Sequence, residues 1–302
     1  MRSSPPSIAD YSLLALLAAI FGAAFMLITV AVEFFPPLTV VTIRQGLASV
    51  IFVIAMYVVG QRFPAFGKVW LYILGGAVLG NAFPFFLVAW GQEEVGAGLA
   101  AILTSSTPIM ALIVGQLFSK DEKLTLPKLA GVTLGFAGII ILFGVDNLFS
   151  TDSGQLRKYA LLAAAMSYAL NAFILKSLAG LPRFATIASV MLVSFLVMLP
   201  FSLGFDKPWT LTPDTNAILA IIALGVLSTG LGNLLRFEIV GRQGALFLTQ
   251  ISYLIPAFGL FWAWLFLDEV PSAKTYLALL LILLGIAVAR ISSGKPLPIG
   301  GR

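Results

Sequence analysis

The chain has 302 residues, of which 60% are hydrophobic and only 10% charged, and it contains no Cys and no His. A chain this apolar lacks the polar surface to cover a water-soluble core, which excludes an ordinary soluble protein. The absence of Cys and His excludes disulfides, thiol nucleophiles, thiolate or imidazole metal sites and Ser-His-Asp chemistry. The net charge is +5, and the basic residues stand singly between apolar segments. This pattern argues against a nucleic-acid partner.

Ten apolar segments follow one another along the chain, each near the length of about 20 residues that crosses a bilayer as a helix. The breaks between them carry turn residues, among them Phe35-Pro36-Pro37 and Asp268-Glu269-Val270-Pro271. The first segment exceeds the apolar region of a cleaved signal peptide and lacks a convincing cleavage site, so we interpret it as helix one. The prediction is an all-α polytopic membrane protein with helices at Asp10–Val32, Pro37–Gly60, Lys68–Trp90, Gly96–Ser119, Thr125–Phe143, Gln155–Ser177, Arg183–Gly204, Asp214–Ile239, Gln243–Leu267 and Ser272–Ile291.

The basic residues are distributed unevenly between the two sides of this predicted membrane protein. An even number of spans places both termini on one side, and most of the 18 Lys and Arg residues fall on that side. The loops of the opposite side hold four, which are Arg157, Lys158, Lys207 and Lys274. By the positive-inside rule, this bias predicts cytoplasmic N- and C-termini.

The two halves of the chain are similar to each other at an offset of about 148 residues. Glycines, prolines and an acidic pair align in the same order: Gly96 with Gly244, Pro108 with Pro256, and, after a one-residue gap, Asp121-Glu122 with Asp268-Glu269 and Gly138 with Gly285. Because five helices are an odd number, the second copy is expected to enter the membrane inverted, as in many carriers, although duplication could also simply have built a stable bundle. The predicted organisation is a first repeat at 1–143, a connecting loop at 144–154, a second repeat at 155–291 and a cytoplasmic tail at 292–302.

The region 96–142 carries the most specific motifs, with a Gly-rich helix start, Thr107-Pro108, Asp121-Glu122 and Leu129-Ala130-Gly131. Together with Ala18-Ala19-Ile20-Phe21-Gly22-Ala23-Ala24-Phe25 in helix one and Arg44 in helix two, it resembles the drug/metabolite transporter superfamily, in its EamA-type branch of ten-helix bacterial carriers. The resemblance covers almost the whole chain, but Thr29 and Val30 stand where many members have a Lys. It implies a monomeric bacterial inner-membrane carrier, closest to exporters of amino acids, those of the YddG type for aromatic amino acids among them.

A carrier needs polar groups near the middle of the bilayer, and the candidates in this chain are all uncharged. Such groups suit a zwitterionic or neutral solute because no buried protein charge has to be compensated. Polar side chains also hold transmembrane helices together, which is the alternative reading of each one. The predicted substrate-binding residues are Asn81, Ser105, Thr107, Ser167, Tyr168, Asn171, Gln250 and Tyr253.

Three prolines inside helices are predicted as hinges or gates, namely Pro84, Pro108 and Pro256. Proline removes a backbone donor and frees a carbonyl, although it is also tolerated in membrane helices as a shaping residue. Among the charged residues, Arg44 is expected to reach the membrane surface or pair with Glu33, and Arg236 is expected to behave likewise with Glu238. Glu122 and Glu269 are expected to cap a following helix or to pair with a loop cation.

These observations predict a transporter that moves small metabolites, above all aromatic or hydrophobic amino acids, out of the cell by alternating access through a central cavity. Its partners would be the solute and the lipid bilayer, with no nucleic acid, no metal and no cofactor. An exporter of drugs, lipids or other metabolites is the alternative within transport. A membrane-embedded enzyme is less favoured because no nucleophile, metal cluster or carboxylate pair is found, and a channel because the halves form an inverted repeat.

Overall fold

The computed structural model describes residues 6–118, 125–144, 152–178 and 180–291. Within these ranges the chain forms ten apolar helices, and eight of them are long and apolar enough to cross a membrane by length and composition, with α9 and α10 the shorter two. The helices are α1 Ile8–Val32, α2 Pro37–Val58, α3 Val69–Gly91, α4 Ala97–Thr104 continuing as Thr107–Phe118, α5 Leu126–Phe143, α6 Ser153–Ser177, α7 Arg183–Asp206, α8 Thr215–Gly244, α9 Ile251–Leu267 and α10 Ala273–Ile291. The predicted polytopic all-α class is confirmed.

Contacts between helix ends show that successive helices run in alternating directions. At one end, Asp10 near the start of α1 accepts a hydrogen bond from Gln243 near the end of α8. At the other end, Gln92 after α3 donates to the Phe25 carbonyl in the last turns of α1. We call the end that holds the start of α1 the terminal face and the other end the distal face. The segments around Glu122 and the tail at 292–302 lie outside the described residues.

The packing of the helices keeps its pattern when the two halves of the chain are exchanged. Helix α1 packs on α8 and α9, as α6 packs on α3 and α4, while α2 packs on α8 as α7 packs on α3. The contacts α2–α7 and α5–α10 each join equivalent helices of the two halves. Helix α5 meets α10 so closely that a Cβ on Gly131 would collide with the carbonyl of Gly285. This is the packing expected of two related five-helix units, while their inversion relative to a membrane stays a prediction.

The helix boundaries depart from prediction mainly at α8 and α9. Helix α8 runs five residues past Ile239, to Gly244, where a positive φ of 82° ends it. A short turn at 245–248 precedes the main part of α9, which begins at Ile251 rather than at Gln243. Sequence patterns missed this end because the apolar run pauses at Arg242-Gln243, whereas Gly244 alone readily adopts the left-handed backbone needed for the turn.

Three of the described helices contain wider π-type turns, and two of these turns lie at matching places in the repeat. The matching segments are Val78–Ala82 in α3 and Leu224–Leu231 in α8, and the second contains positions 226–230, which are equivalent to 78–82 at the offset of 148 residues. The third, Ser202–Asp206, ends α7. A π turn inserts an extra residue into the helix and leaves backbone groups available for other partners, and such turns occur often at functional sites. The segments in α3 and α8 both contribute buried polar groups to the site described next, among them Asn81, Ser228 and Thr229.

Candidate functional site

The contact between α3 and α6 is built around a carbonyl that proline leaves without a backbone donor. Within the π segment, the Phe83 N–H donates to the Val78 carbonyl. The next residue, Pro84, has no N–H to offer Leu79 in the same pattern. The hydroxyl of Ser167 on α6 donates to that Leu79 carbonyl instead, at 2.8 Å. Predicted site residue Ser167 therefore already uses its donor to join α6 to the proline kink of α3.

Asn171 lies one turn further along α6, against the glycines of α3. A Cβ on Gly80 would overlap the Asn171 amide, so this close approach depends on glycine. The Asn171 Oδ1 atom is buried and accepts no hydrogen bond in the described part of the chain. Asn81, which follows Gly80 in α3, is also buried, and its Nδ2 donates only over a long 3.5 Å to the Gly76 carbonyl of its own helix. Asn171 thus offers the interior a free amide acceptor.

The most unusual group in the interior is the guanidinium of Arg44. Its Nε donates to Thr229 Oγ1 at 2.6 Å and its Nη2 to Ser228 Oγ at 3.4 Å. Its Cζ lies 3.9 Å from the ring centroid of Phe85. The Phe85 ring in turn meets Tyr168 edge-on, with centroids 6.4 Å apart. Arg44 therefore links α2, the π segment of α8, and the aromatic pair of α3 and α6.

The expectation that Arg44 reaches the surface or pairs with Glu33 is wrong. Arg44 is the eighth residue of α2, about 10 Å along the helix axis at about 1.5 Å per residue, and only 7% of it is exposed. None of the ion pairs among the described residues involves it. The predicted site residues are all uncharged, so Arg44 has to be added to the polar groups of the interior. Hydroxyls from a helix distant in sequence supply the partners, which a single-helix pattern cannot reveal.

Three residues of α8 form a stripe that leads from Arg44 toward the terminal face. Thr229 binds Arg44, and Asn233 Nδ2 donates to the Thr229 carbonyl at 2.7 Å, which places both on one side of the helix. Arg236 follows Asn233 by three residues and shares this side. Exposure increases along the stripe, since Thr229 is buried, Asn233 half-buried and Arg236 exposed. The expected pairing of Arg236 with Glu238 is wrong, because Glu238 binds Arg242 at 2.7 Å.

A matching gradient runs along the interior side of α6. Ala165 is fully buried, Tyr168 is half-buried and Ala172 is exposed. Because these residues are spaced by three and four, they lie on one face, the face that carries Tyr168 to the Arg44 cluster. Ala163 is also exposed, but it points to the opposite side of α6. The interior faces of α6 and α8 thus both become accessible toward the terminal face.

At the distal face, in contrast, polar contacts join the helices to one another. Glu269 accepts hydrogen bonds from the backbone N–H groups of Ala97 and Gly98, at 2.7 and 3.0 Å. Glu269 therefore caps the start of α4. The expectation that it caps α10, the helix that follows it in the chain, is wrong. Three further sets of contacts join helices at this end. Gln92 donates to Thr29, Arg157 pairs with Glu93 and Glu94, and the Thr39 N–H and hydroxyl donate to Asp206.

The remaining predicted residues lie at the breaks of α4 and α9. The Ser105 hydroxyl donates to the Ala101 carbonyl and the Thr107 hydroxyl to the Thr104 carbonyl. Pro108 has no N–H to donate to this Thr104 carbonyl in the helical pattern. Gln250 lies at the break before α9, and Tyr253 packs against the main apolar core. Pro256 is buried inside α9. No hydrogen bond in the described part of the chain joins Gln250 to Arg44.

Sequence reasoning missed Ser228 and Thr229, although a signal for them exists. At the repeat offset of 148 they align with Gly80 and the predicted site residue Asn81, so the repeat could have pointed to them. The described residues contain no group of three or more acidic or other metal-binding side chains that could hold an ion. The polar groups of this interior are suited to bind and orient a solute.

Comparison with known proteins identifies the family. The model of the EamA-like transporter family matches residues 10–144 and again 158–291. Similar proteins include a "Probable amino-acid metabolite efflux pump" of Escherichia coli (strain K12), 28% identical over 92% of this chain and 94% of that protein, and a "Probable terminal-alkyne amino-acid exporter" of Streptantibioticus cattleyicolor, 27% identical over 76% and 75%.

A transporter of Bacillus subtilis (strain 168), YoaV, described as uncharacterized, is 23% identical over 88% of this chain and 91% of its own. One solved crystal structure superimposes with a TM-score of 0.68 at 20% identity, covering 96% of this chain and 100% of the other, which supports the fold. The family model, matched over nearly the whole length, carries the assignment. The chain belongs to the EamA-like transporter family of the drug/metabolite transporter superfamily and is a multi-pass membrane transporter, not an enzyme.

Proposed function

We propose that this transporter exports amino acids, aromatic or hydrophobic ones first, by alternating access through the interior between α3, α6 and α8. Two similar proteins bear names that refer to amino-acid export. The observation that carries the proposal is the cluster around Arg44, where a guanidinium, two hydroxyls and two aromatic rings meet from helices of both halves, with the Asn171 amide acceptor three residues from Tyr168 on α6. An amino acid carries groups that match each of these: a carboxylate, an ammonium and a side chain.

The difference between the two faces supports alternating access. The distal face is tied by the Glu269, Gln92 and Arg157 contacts, while the stripes of α6 and α8 become accessible toward the terminal face. We therefore propose that this conformation receives solute from the terminal face. The division into repeats at 1–143 and 155–291, in opposite orientation, would let the two faces exchange roles. Cytoplasmic termini in the inner membrane of a bacterium and a monomeric state complete the proposal.

Uptake into proteoliposomes tests this function. Purified protein would be reconstituted and given labelled phenylalanine, leucine or lysine, with empty liposomes and with and without a proton gradient. Saturable uptake of phenylalanine and leucine above empty vesicles is expected, with competition between the two. If neither enters above the level of empty vesicles while hydrophobic drugs or lipids do, amino-acid export is refuted and the drug or lipid exporter takes its place.

A further inference from the structure

We infer that Arg44 is the specificity-determining residue of this interior and binds the carboxylate of the transported solute. The inference deepens the proposed function, on which it rests. It states that an anionic group is required for recognition and that an amine is not.

A buried guanidinium with no acidic partner is costly. Moving an isolated charge out of water opposes folding strongly unless an opposite charge or several hydrogen bonds compensate it. Arg44 is 93% removed from solvent contact, as its exposure of 7% shows, and the described ion pairs do not include it. Its hydrogen bonds go to two neutral hydroxyls, Thr229 at 2.6 Å and Ser228 at a weak 3.4 Å.

The arrangement leaves part of the guanidinium available to a ligand. Hydrogen bonds among the described residues use Nε and Nη2, and none uses Nη1. Nη1 is also absent from the buried atoms that lack a partner, so it reaches accessible space. The ring of Phe85 supports the guanidinium plane from one side and thereby fixes its orientation. A planar, oriented guanidinium with free donors matches the two oxygens of a carboxylate.

The way to Arg44 favours an anion as well. The stripe on α8 contains Thr229, Asn233 and Arg236 and no acidic residue, and its exposed member is a second guanidinium. A positive charge near the approach to a buried site raises the local concentration of anions there. A group that suits an ammonium is the Asn171 Oδ1 atom, which is neutral and accepts no hydrogen bond within the described residues. The electrostatics therefore select for the carboxylate, while the amine adds a hydrogen bond.

The position of this charge is asymmetric between the two halves. At the repeat offset of 148, Arg44 aligns with Leu192 and Phe85 aligns with Asn233. The guanidinium thus comes from one repeat and its hydroxyl ligands come from the other. Relative movement of the repeats would change the Arg44–Thr229 and Arg44–Ser228 distances. The surroundings of a carboxylate bound at Nη1 would change with these distances, which links recognition of the solute to the conformational cycle.

The test compares four probes that share a phenyl group in reconstituted wild-type protein: phenylalanine, phenylalanine amide, phenethylamine and 3-phenylpropanoate. Phenylalanine and 3-phenylpropanoate are expected to be taken up or to compete, and the amide and the amine are expected to be at least about 10-fold weaker. If the amine or the amide competes as well as phenylalanine, the inference is overturned. If 3-phenylpropanoate enters and phenylalanine does not, amino-acid export fails but the role of Arg44 stands.

Substitution supplies the second arm. Arg44→Leu is expected to raise KM on the order of 100-fold, since truncating one member of a desolvated charge pair costs several kcal/mol, and Arg44→Lys should lie between, because it keeps the charge without the fork. Arg62→Gln, in the exposed loop after α2, is the control and should transport normally. If Arg44→Leu does not fold, the probe selectivity of the wild type decides alone. A folded Arg44→Leu with unchanged KM and unchanged selectivity would overturn the inference.

Discussion

The Glu269 carboxylate accepts the backbone N–H of Ala97 at 2.7 Å, so a residue that follows α9 caps the start of α4. Residues 97 and 269 come from different halves of the chain, and a second bond to the Gly98 N–H makes the contact two-pronged. A carboxylate at a helix N-terminus satisfies unpaired N–H groups and interacts favourably with the helix dipole. This contact therefore ties the two halves together at the distal face.

We expect Glu269→Gln to loosen the distal face. A neutral amide has one acceptor oxygen, and its NH2 group would face the backbone N–H groups. The folded state is therefore expected to lose about 1.5–3 kcal/mol of stability from charge-assisted hydrogen bonding. A lower Tm in detergent is expected, with less of the protein open to the terminal face. Glu238→Gln is the matched control, because Glu238 and Arg242 form an exposed pair worth little. Equal Tm values for the two variants would contradict the role of Glu269.

Ser167 and Pro84 should be coupled in stability. Ser167→Ala removes the donor to the Leu79 carbonyl, which Pro84 cannot replace, and is expected to cost about 1–2 kcal/mol. Pro84→Ala restores a backbone N–H in α3, so the cost of Ser167→Ala should shrink in the Pro84→Ala background. Thermal unfolding of the two single variants and the double variant measures this coupling. Strictly additive effects would show that the hydroxyl does not substitute for the missing donor.

Accessibility can be measured without background because the chain has no Cys. Ala172→Cys is expected to react with a membrane-impermeant maleimide applied to the terminal face, since this alanine is exposed on the interior side of α6. Ala165→Cys, buried two turns away on the same side, should not react. Ala163→Cys faces the opposite side, and a thiol held in lipid does not form the reactive thiolate. Labelling of Ala163→Cys in preference to Ala172→Cys would mean that the lipid and interior faces are assigned the wrong way round.

Asn171→Ala and Gln250→Ala are expected to abolish transport while the protein stays folded. For Asn171 the reason is its unpaired Oδ1 atom beside the α3 glycines. Gly80→Ala should have a related effect, because the added methyl group displaces the Asn171 amide, whereas Gly67→Ala meets nothing within 4 Å and serves as control. Size-exclusion profiles and proteoliposome uptake report folding and function separately. Normal transport by both Asn171→Ala and Gln250→Ala would refute the predicted site.

The sequence alone determined the environment and the helices of this protein. Ten apolar segments, each near the thickness of a bilayer, leave helices as the only way to satisfy the backbone, and this signal is local to each segment. The repeat offset likewise needed only the order of Gly96, Pro108 and their partners Gly244 and Pro256. The predicted α3 and α6 site residues Asn81, Ser167, Tyr168 and Asn171 do come together around the π segment of α3.

Only the tertiary structure decided which groups those residues meet. Arg44 was expected at the surface because an isolated helix offers it no partner, yet Thr229 of α8, 185 residues away, lies at 2.6 Å. Ser167 and Thr107 are predicted to bind the substrate, but their hydroxyls donate to carbonyls that Pro84 and Pro108 leave without a backbone donor. Burial of a charge depends on the helices packed around it, and those contacts are long-range, so periodicity along the chain carries no record of them.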